Sequence, residues 1–154
     1  MKRRSFLTTA LATLAAPAFA GKAGVTYEVS RSEDEWRAML TDAEYRVMRE
    51  EGTERAFTSP LNDETRAGTF HCKGCDQPLY ASETKFKSGT GWPSFYDNLP
   101  GAIGTKEDRK LFAVRTECHC SRCGSHLGHI FDDGPAPTGK RHCLNGVSLT
   151  FAPA

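Results

Sequence analysis

The spacing of the cysteines gives the strongest indication of chemical function in this sequence. Four of the six form two Cys-x-x-Cys pairs, Cys72 with Cys75 and Cys120 with Cys123. Two residues between thiolates let a tight turn direct both sulfurs at one tetrahedral ion, and two such turns supply four ligands. The spacing favours one closed structural zinc site, and two disulfides, redox motifs or a rubredoxin-like iron site stay open as alternatives.

Two cysteines, Cys118 and Cys143, lie outside these pairs. Arg141 stands two residues before Cys143, so on a strand both side chains share a face. The arginine charge would then favour the thiolate form of Cys143, which is the nucleophilic form. A buried, unreactive cysteine on a strand is the alternative, because cysteine is often buried.

Two histidines follow the second cysteine pair closely. His126 and His129 stand three residues apart in the segment Ser125–His129. Imidazole is suited to proton transfer near neutral pH, so we expect these rings to act as acids or bases. A structural, hydrogen-bonded role is the alternative, and metal ligation is disfavoured because four cysteines already fill a tetrahedral site.

Two loops complete the candidate site. The Gly-rich segment Ser88–Phe95 holds Trp92, whose ring could contact a small apolar group such as a methyl on sulfur. A tryptophan packed in the core under a turn is the alternative. The turn-rich segment 132–139 joins the histidines to Cys143 and carries Asp133, which orients a histidine or is a solvated turn residue.

The elements that position these residues change character along the chain. Capping boxes that begin at Ser32 and Thr41 predict two short helices, the second ending at Gly52 as a left-handed cap. From Phe57 onward, short alternating runs at 68–72, 79–80, 111–118 and 147–151 predict strands. Together they predict a mainly antiparallel β domain with the helices on its outside.

The third of these runs shows the clearest alternation. Its odd-numbered residues, Leu111 to Glu117, fall on one face, and its even-numbered residues fall on the other. We expect the even-numbered face, which includes Val114 and Cys118, to point inward.

Length and charge place the chain in a broad class. With 154 residues it is expected to hold one domain with a substantial core. The formal net charge is +1, but residues 1–20 carry three basic side chains and no acid, so the remainder has a net charge of −2. Nucleic acid is therefore not an expected partner, because phosphate binding needs a basic surface.

The N-terminus resembles an export signal. Lys2-Arg3-Arg4 precedes an apolar run, 6–16, that is too short to span a bilayer. Ala18-Phe19-Ala20 fits a signal-peptidase site with cleavage before Gly21. The paired arginines favour twin-arginine export to the periplasm, and a general secretory signal or an uncleaved anchor are the alternatives. We expect a signal peptide over 1–20, a flexible linker over 21–31, a catalytic domain over 32–154, and no stable membrane insertion after cleavage.

These strings, in this order, resemble the B-type methionine-R-sulfoxide reductase family over about residues 34–151. The matching segments are His71–Cys75, Ser88–Phe95, Cys120–Cys123, His126–Phe131, Asp133–Pro135, Pro137–Gly139 and Arg141–Asn145. The resemblance implies two antiparallel sheets with peripheral helices, and a structural zinc held by four cysteines away from the active site. It also implies oxidised methionine in proteins or peptides as the substrate.

The resemblance also implies roles for single residues. Cys143 would attack the sulfoxide sulfur and become a sulfenic acid, Trp92 would hold the methyl group, and the two histidines would bind and protonate the oxygen. Three further residues would support the thiolate or hold water or oxygen in place: Arg141, Asp133 and Asn145.

Regeneration of the thiol is where this sequence departs from the family. Many members carry a resolving cysteine at the position of Thr90. Cys118 is then the remaining candidate, unless it is an inert core residue or points toward the zinc. Otherwise a thioredoxin-like or other thiol reduces Cys143 directly. The rival functions are a thiol–disulfide oxidoreductase, which needs a metal-free Cys-x-x-Cys, and a non-catalytic zinc-ribbon binding module.

Overall fold

The computed structural model describes residues 25–109 and 113–154. The expected signal peptide over 1–20 and residues 111 and 112 of the third predicted strand lie outside this part of the chain. Within the described residues, no helix combines the length and the apolar character needed to cross a bilayer.

Both predicted helices are present. The first, α1, spans Glu33–Met39, and the second, α2, spans Asp42–Met48; each begins at its predicted capping box. Helix α2 ends earlier than predicted, and Glu51, not Gly52, takes the left-handed conformation with φ of 56°. Gly52 is needed for a different reason: its N–H donates to the carbonyl of Arg46 at 2.9 Å, and a Cβ there would lie 2.8 Å from that oxygen.

The described strands form two antiparallel sheets, as predicted. The smaller sheet has the order β2-β1-β9, and the larger has the order β3-β4-β8-β7-β6-β5. The strands are β1 Gly68–Cys72, β2 Pro78–Ala81, β3 Lys85–Phe86, β4 Ser94–Phe95, β5 Ile103–Asp108, β6 Arg115–Cys120, β7 His126–Phe131, β8 Arg141–Leu144 and β9 Leu149–Pro153. Val147, predicted as strand, lies in a 3-10 turn over Gly146–Ser148 that precedes β9.

Aromatic side chains join the two sheets. The ring of Phe95 on β4 lies 4.9 Å from that of Phe70 and 4.6 Å from that of Tyr80, centroid to centroid. The Tyr80 hydroxyl also lies 3.0 Å from Nδ1 of His142 on β8. Because Phe95 and His142 are register partners, this face of the larger sheet is the one turned toward the smaller sheet.

The predicted inward face of the third run is only partly correct. Cys118 is fully buried as expected, but Val114 is 66% exposed and precedes β6. Glu117, predicted to point outward, is only 2% exposed. Alternation separates an inward from an outward face only where one face of the strand meets solvent, whereas both faces of β6 carry buried side chains.

Part of the predicted linker lies against the domain. The N–H of Val29 donates to the carbonyl of Arg122 at 2.9 Å, and the Tyr27 ring meets the His119 ring edge-on at 5.9 Å. A guanidinium nitrogen of Arg31 reaches the carbonyl of Gly74 at 3.2 Å. The segment 27–31 therefore packs across both Cys-x-x-Cys turns instead of forming a free linker.

Candidate active site and metal centre

Strand register places the candidate catalytic residues in one row. On β8, Cys143 stands opposite His129 of β7 on one side and opposite Ser94 of β4 on the other. His129 in turn stands opposite Glu117 of β6. Directly opposite residues share a face of the sheet, so these four side chains project from the face turned away from the aromatic core.

A bulge in β7 adds the second histidine to this row. Three residues apart on a regular strand, His126 and His129 would point to opposite faces. However, the register with β6 slips between Cys118 and His119, and Leu127 is left as an extra residue. The two imidazole rings consequently lie on one face, with their centroids 5.5 Å apart.

The row opens into a cavity of about 140 Å³. It gathers four of the predicted site residues with five others: Cys143, His129, Trp92 and Asn145, with Thr53, Arg115, Gly128, Phe131 and Leu144. The indole N–H of Trp92 donates to the carbonyl of Glu54 at 3.2 Å, which fixes the ring against this opening. His126 does not line the cavity, because it is buried beside His129 and only 3% exposed.

Burial and positive charge have opposite effects on the pKa of the Cys143 thiol. Burial raises the pKa of Cys143, while a contact with Thr90 Oγ1 at 3.9 Å and the charge of Arg141 lower it. Arg141 thus acts in the predicted direction, but burial is the larger effect and the pKa stays above its ordinary value. Arg141 is itself held by two 2.9 Å hydrogen bonds to the Asp133 carboxylate and stacks 4.5 Å over the Phe131 ring.

His129 is oriented by a buried carboxylate that the sequence analysis did not identify. Its Nε2 lies 2.8 Å from Oδ2 of Asp108, which also accepts a 2.6 Å hydrogen bond from Arg115. Burial lowers the pKa of His129, and the bond to Asp108 opposes this shift only in part. The lowered pKa favours the neutral ring, and the tautomer with its proton on Nε2 is the one that can donate to the Asp108 carboxylate.

His126 is oriented by a second buried carboxylate, Glu117. One oxygen of Glu117 lies 2.6 Å from Nδ1 of His126, and the other lies 2.9 Å from Nδ1 of His119. Burial acts to raise the pKa of Glu117, but the two histidine bonds outweigh it and bring the pKa to about 2. Nε2 of His126 is buried without a hydrogen-bond partner among the described residues. Only strand register could have revealed Glu117, since alternation alone placed it outside.

Asn145 lines the cavity and also makes hydrogen bonds that hold the surrounding loops in place. Its Oδ1 accepts from the N–H of Glu54 at 2.9 Å, and its Nδ2 donates to the carbonyl of Leu127 at 3.0 Å. The Glu54 carboxylate accepts from the N–H groups of Gly146 at 2.6 Å and Val147 at 3.1 Å. Asn145 and Glu54 therefore tie the loop that supports Trp92 to the strands that carry the histidines and Cys143.

Cys118 is not placed to meet Cys143. It stands opposite Gly128, which stands opposite Leu144, so its side chain projects from the other face of the sheet. There it is fully buried near the hydroxyl of Tyr80. The structure thus places Cys118 in the core, on the face opposite to that of Cys143.

The other four cysteines converge as predicted. Their sulfur atoms all lie within 4.8 Å of one another, and the Cys72–Cys123 and Cys75–Cys120 pairs are 3.7 and 3.5 Å apart. A tetrahedron with metal–sulfur distances of about 2.3 Å has sulfur–sulfur edges of about 3.8 Å. The four thiolates thus fit one zinc ion, and none of them lines the cavity beside Cys143.

We expect zinc to stabilise the fold through these four residues. Replacing Cys120 with serine should lower the zinc content from one ion per chain to nearly none and lower the unfolding midpoint by about 10 °C or more, since metal binding supplies folding free energy. Atomic absorption and thermal unfolding measure the two quantities. Cys118→Ser, which changes an equally buried thiol two residues away, should keep its zinc. A full complement of zinc in Cys120→Ser would contradict the assignment.

Comparison with known proteins identifies the family. The family model described as the SelR domain matches residues 40–153. A Methanosarcina barkeri protein named peptide methionine sulfoxide reductase MsrB is 54% identical over 124 residues, which cover 80% of this chain and 87% of the relative. Proteins of the same name from Agrobacterium fabrum and Thiobacillus denitrificans are 48% and 51% identical, covering 82% and 80% of this chain and 94% of each relative.

The match extends over the cysteine turns, the cavity and the row of residues across the larger sheet. The chain therefore belongs to the SelR domain family, the family of the MsrB proteins.

Proposed function

We propose that this chain reduces methionine sulfoxide to methionine, and that it acts on the R epimer. The observation that carries the proposal is the cavity in which the Cys143 thiol, the Trp92 ring and the His129 imidazole meet. The relatives named peptide methionine sulfoxide reductase support the reaction class. The choice of epimer rests on the family resemblance.

The reaction is an exchange of oxygen between two sulfur atoms. The Cys143 sulfur attacks the sulfoxide sulfur while the indole face of Trp92 holds the methyl group by dispersion. This attack forms a bond between the two sulfur atoms as the substrate S–O bond breaks, and the protonated oxygen leaves as hydroxide. Hydroxide then attacks the Cys143 sulfur and breaks the S–S bond, so the cysteine sulfur loses the two electrons that the methionine sulfur gains. The products are a thioether and a sulfenic acid.

The proton balance of this step needs no external acid. In the free protein Cys143 is a thiol with a raised pKa and His129 is neutral, so the imidazole can take the thiol proton and pass it to the sulfoxide oxygen. Protonation weakens the S–O bond as attack proceeds. Asp108 keeps Nε2 of His129 occupied, which leaves Nδ1 as the atom that exchanges the proton.

Recycling requires a second thiol from outside the chain. Thr90 replaces the cysteine that many family members use, and Cys118 projects from the opposite face of the sheet. We propose that a thioredoxin-like or other thiol compound supplies two thiol groups. The first attacks the sulfenic acid, releases water and forms a mixed disulfide with Cys143, and the second attacks that disulfide, which returns the Cys143 thiol and leaves the reductant as a disulfide. Bound zinc would supply folding free energy and take no part in these steps.

Neither rival function has a specific observation in its favour. A thiol–disulfide oxidoreductase needs a free Cys-x-x-Cys pair, and both pairs of this chain converge on one cluster suited to a metal. A zinc-ribbon binding module would account for that cluster but gives no role to the thiol in the cavity.

The proposed function is tested with the two separated sulfoxide epimers and dithiothreitol as reductant. Cys143→Ser should lower turnover of the R epimer by at least about 10³-fold, because serine lacks the sulfur that accepts the oxygen. Cys118→Ser, which removes the other cysteine that is not a zinc ligand, should retain turnover. Reduction of the R epimer by Cys143→Ser, or equal use of both epimers by the unchanged protein, would refute the proposal.

A second prediction concerns the pH dependence of Cys143 alkylation. Because the pKa of Cys143 is raised, its alkylation by iodoacetamide should keep accelerating as the pH rises through 9, the ordinary thiol value. Arg141→Met removes a charge that lowers this pKa, so the profile should move to higher pH and alkylation at pH 8 should slow severalfold. Lys140→Met removes a neighbouring positive charge that pairs with Asp132 and should leave the profile in place. An unchanged profile in Arg141→Met would contradict this account.

We also propose that the chain is exported to the periplasm by the twin-arginine route. The support is the sequence of residues 1–20, which lie outside the described structure. Replacing Arg3 and Arg4 with lysine should leave the protein in the cytoplasm, because that route reads the arginine pair. Fractionation and N-terminal sequencing of the exported form, expected to begin at Gly21, measure the outcome. Export that does not depend on the arginines would favour a general secretory signal.

A further inference from the structure

A furrow runs away from the cavity beside Cys143. A second cavity of about 310 Å³ shares Trp92 with the first, and a third of about 280 Å³ continues from it along β3. The second and third cavities have five lining residues in common: Asn62, Asp63, Lys85, Phe86 and Lys87. The second and third cavities thus form one furrow, and the Trp92 ring borders both this furrow and the cavity beside Cys143.

Phe57 lines this furrow and has an unfavourable backbone conformation. Its φ of 64° lies in the left-handed region, which bulky side chains rarely adopt. Its backbone is held there by an N–H donated to the carbonyl of Gly91 at 2.7 Å. Its side chain is nevertheless 73% exposed, so burial of the ring does not offset the strain in the free protein.

Gly91 is adapted to this ring. It has a φ of 95°, and a Cβ at this position would lie 2.9 Å from two atoms of the Phe57 ring. The same Cβ would also lie 2.9 Å from that of Ala56, so the Trp92 loop passes close to both residues. Backbone strain of this kind is typically found at sites that bind a ligand.

The other wall of the furrow is the edge of a sheet. β3, which is two residues long, is the terminal strand of the larger sheet, and among the described strands it pairs with β4 alone. An edge strand presents backbone groups that an extended peptide can pair with, and neighbouring hollows can then receive alternate side chains.

We propose that this furrow binds the polypeptide that flanks the oxidised methionine, in an extended form along β3, with an apolar side chain against the Phe57 ring. The inference rests on the proposed function and adds a peptide subsite to it. The cavity of about 140 Å³ beside Cys143 has room for a side chain but not for the chain that carries it. Trp92 borders both this cavity and the furrow, which gives the flanking residues a course past its ring.

The test is Phe57→Asn, because asparagine tolerates the left-handed conformation and the fold should be retained. Two substrates are compared under dithiothreitol: N-acetyl-methionine-R-sulfoxide amide and a ten-residue peptide with the same sulfoxide between leucines. For the peptide, kcat/KM should fall about fivefold or more, chiefly through KM, and it should be unchanged for the short amide. Met39→Ala, which trims a 45% exposed methionine on α1, should alter neither substrate.

Three outcomes would overturn the inference. The first is equal kcat/KM of Phe57→Asn and the unchanged protein on the peptide. The second is an equal loss on both substrates, which would place the ring in the chemistry. The third is a fall in kcat/KM that is seen only when a protein thiol such as thioredoxin replaces dithiothreitol. That result would show that the Phe57 ring binds the reductant.

A separate measurement distinguishes failure of the subsite from failure of the proposed function. Turnover of the short amide by the unchanged protein tests the function alone. Binding of the labelled ten-residue peptide to Cys143→Ser, with and without Phe57→Asn, tests the subsite without turnover. Weaker binding in the double variant supports the subsite, and equal binding rejects it.

Discussion

The pairing of β7 between β6 and β8 is the constraint on which the rest of the site depends. It sets Glu117, His129 and Cys143 side by side on one face of the sheet. The close approach at Gly128 is part of this pairing, because a Cβ there would overlap the backbone carbonyl of Cys143. A regular β7 would have separated the two histidines, so the one-residue bulge at Leu127 is as important to the site as the histidines themselves.

The cluster of four cysteines and the segment 27–31 both lie beside these strands. The second Cys-x-x-Cys turn joins β6 to β7, so a metal bound there holds together the ends of the two strands that carry Glu117 and the two histidines. The segment 27–31 lies across this turn and contacts His119, one of the two partners of Glu117. A structural metal away from the cavity can therefore support the register within it.

Burial determines the resting charges of the site. Two carboxylates, Asp108 and Glu117, are withdrawn from water, and each meets a histidine. Burial lowers the pKa of His129 and raises that of Cys143, which favours a neutral thiol and a neutral imidazole. This pairing is consistent with the proposed reaction, in which the thiol proton ends on the sulfoxide oxygen.

The sequence by itself determined the features that follow from local chemistry. The capping boxes at Ser32 and Thr41, the strand 68–72 and the two Cys-x-x-Cys turns depend on neighbouring residues, and the structure has them where the spacing predicted. Only the tertiary structure decided what depends on pairing between distant strands: the buried position of Glu117, the orientation of Cys118 away from Cys143, and the balance of burial and charge at the thiol. Alternation along one strand shows which residues share a face, but register and the covering of that face arise from contacts with the rest of the chain.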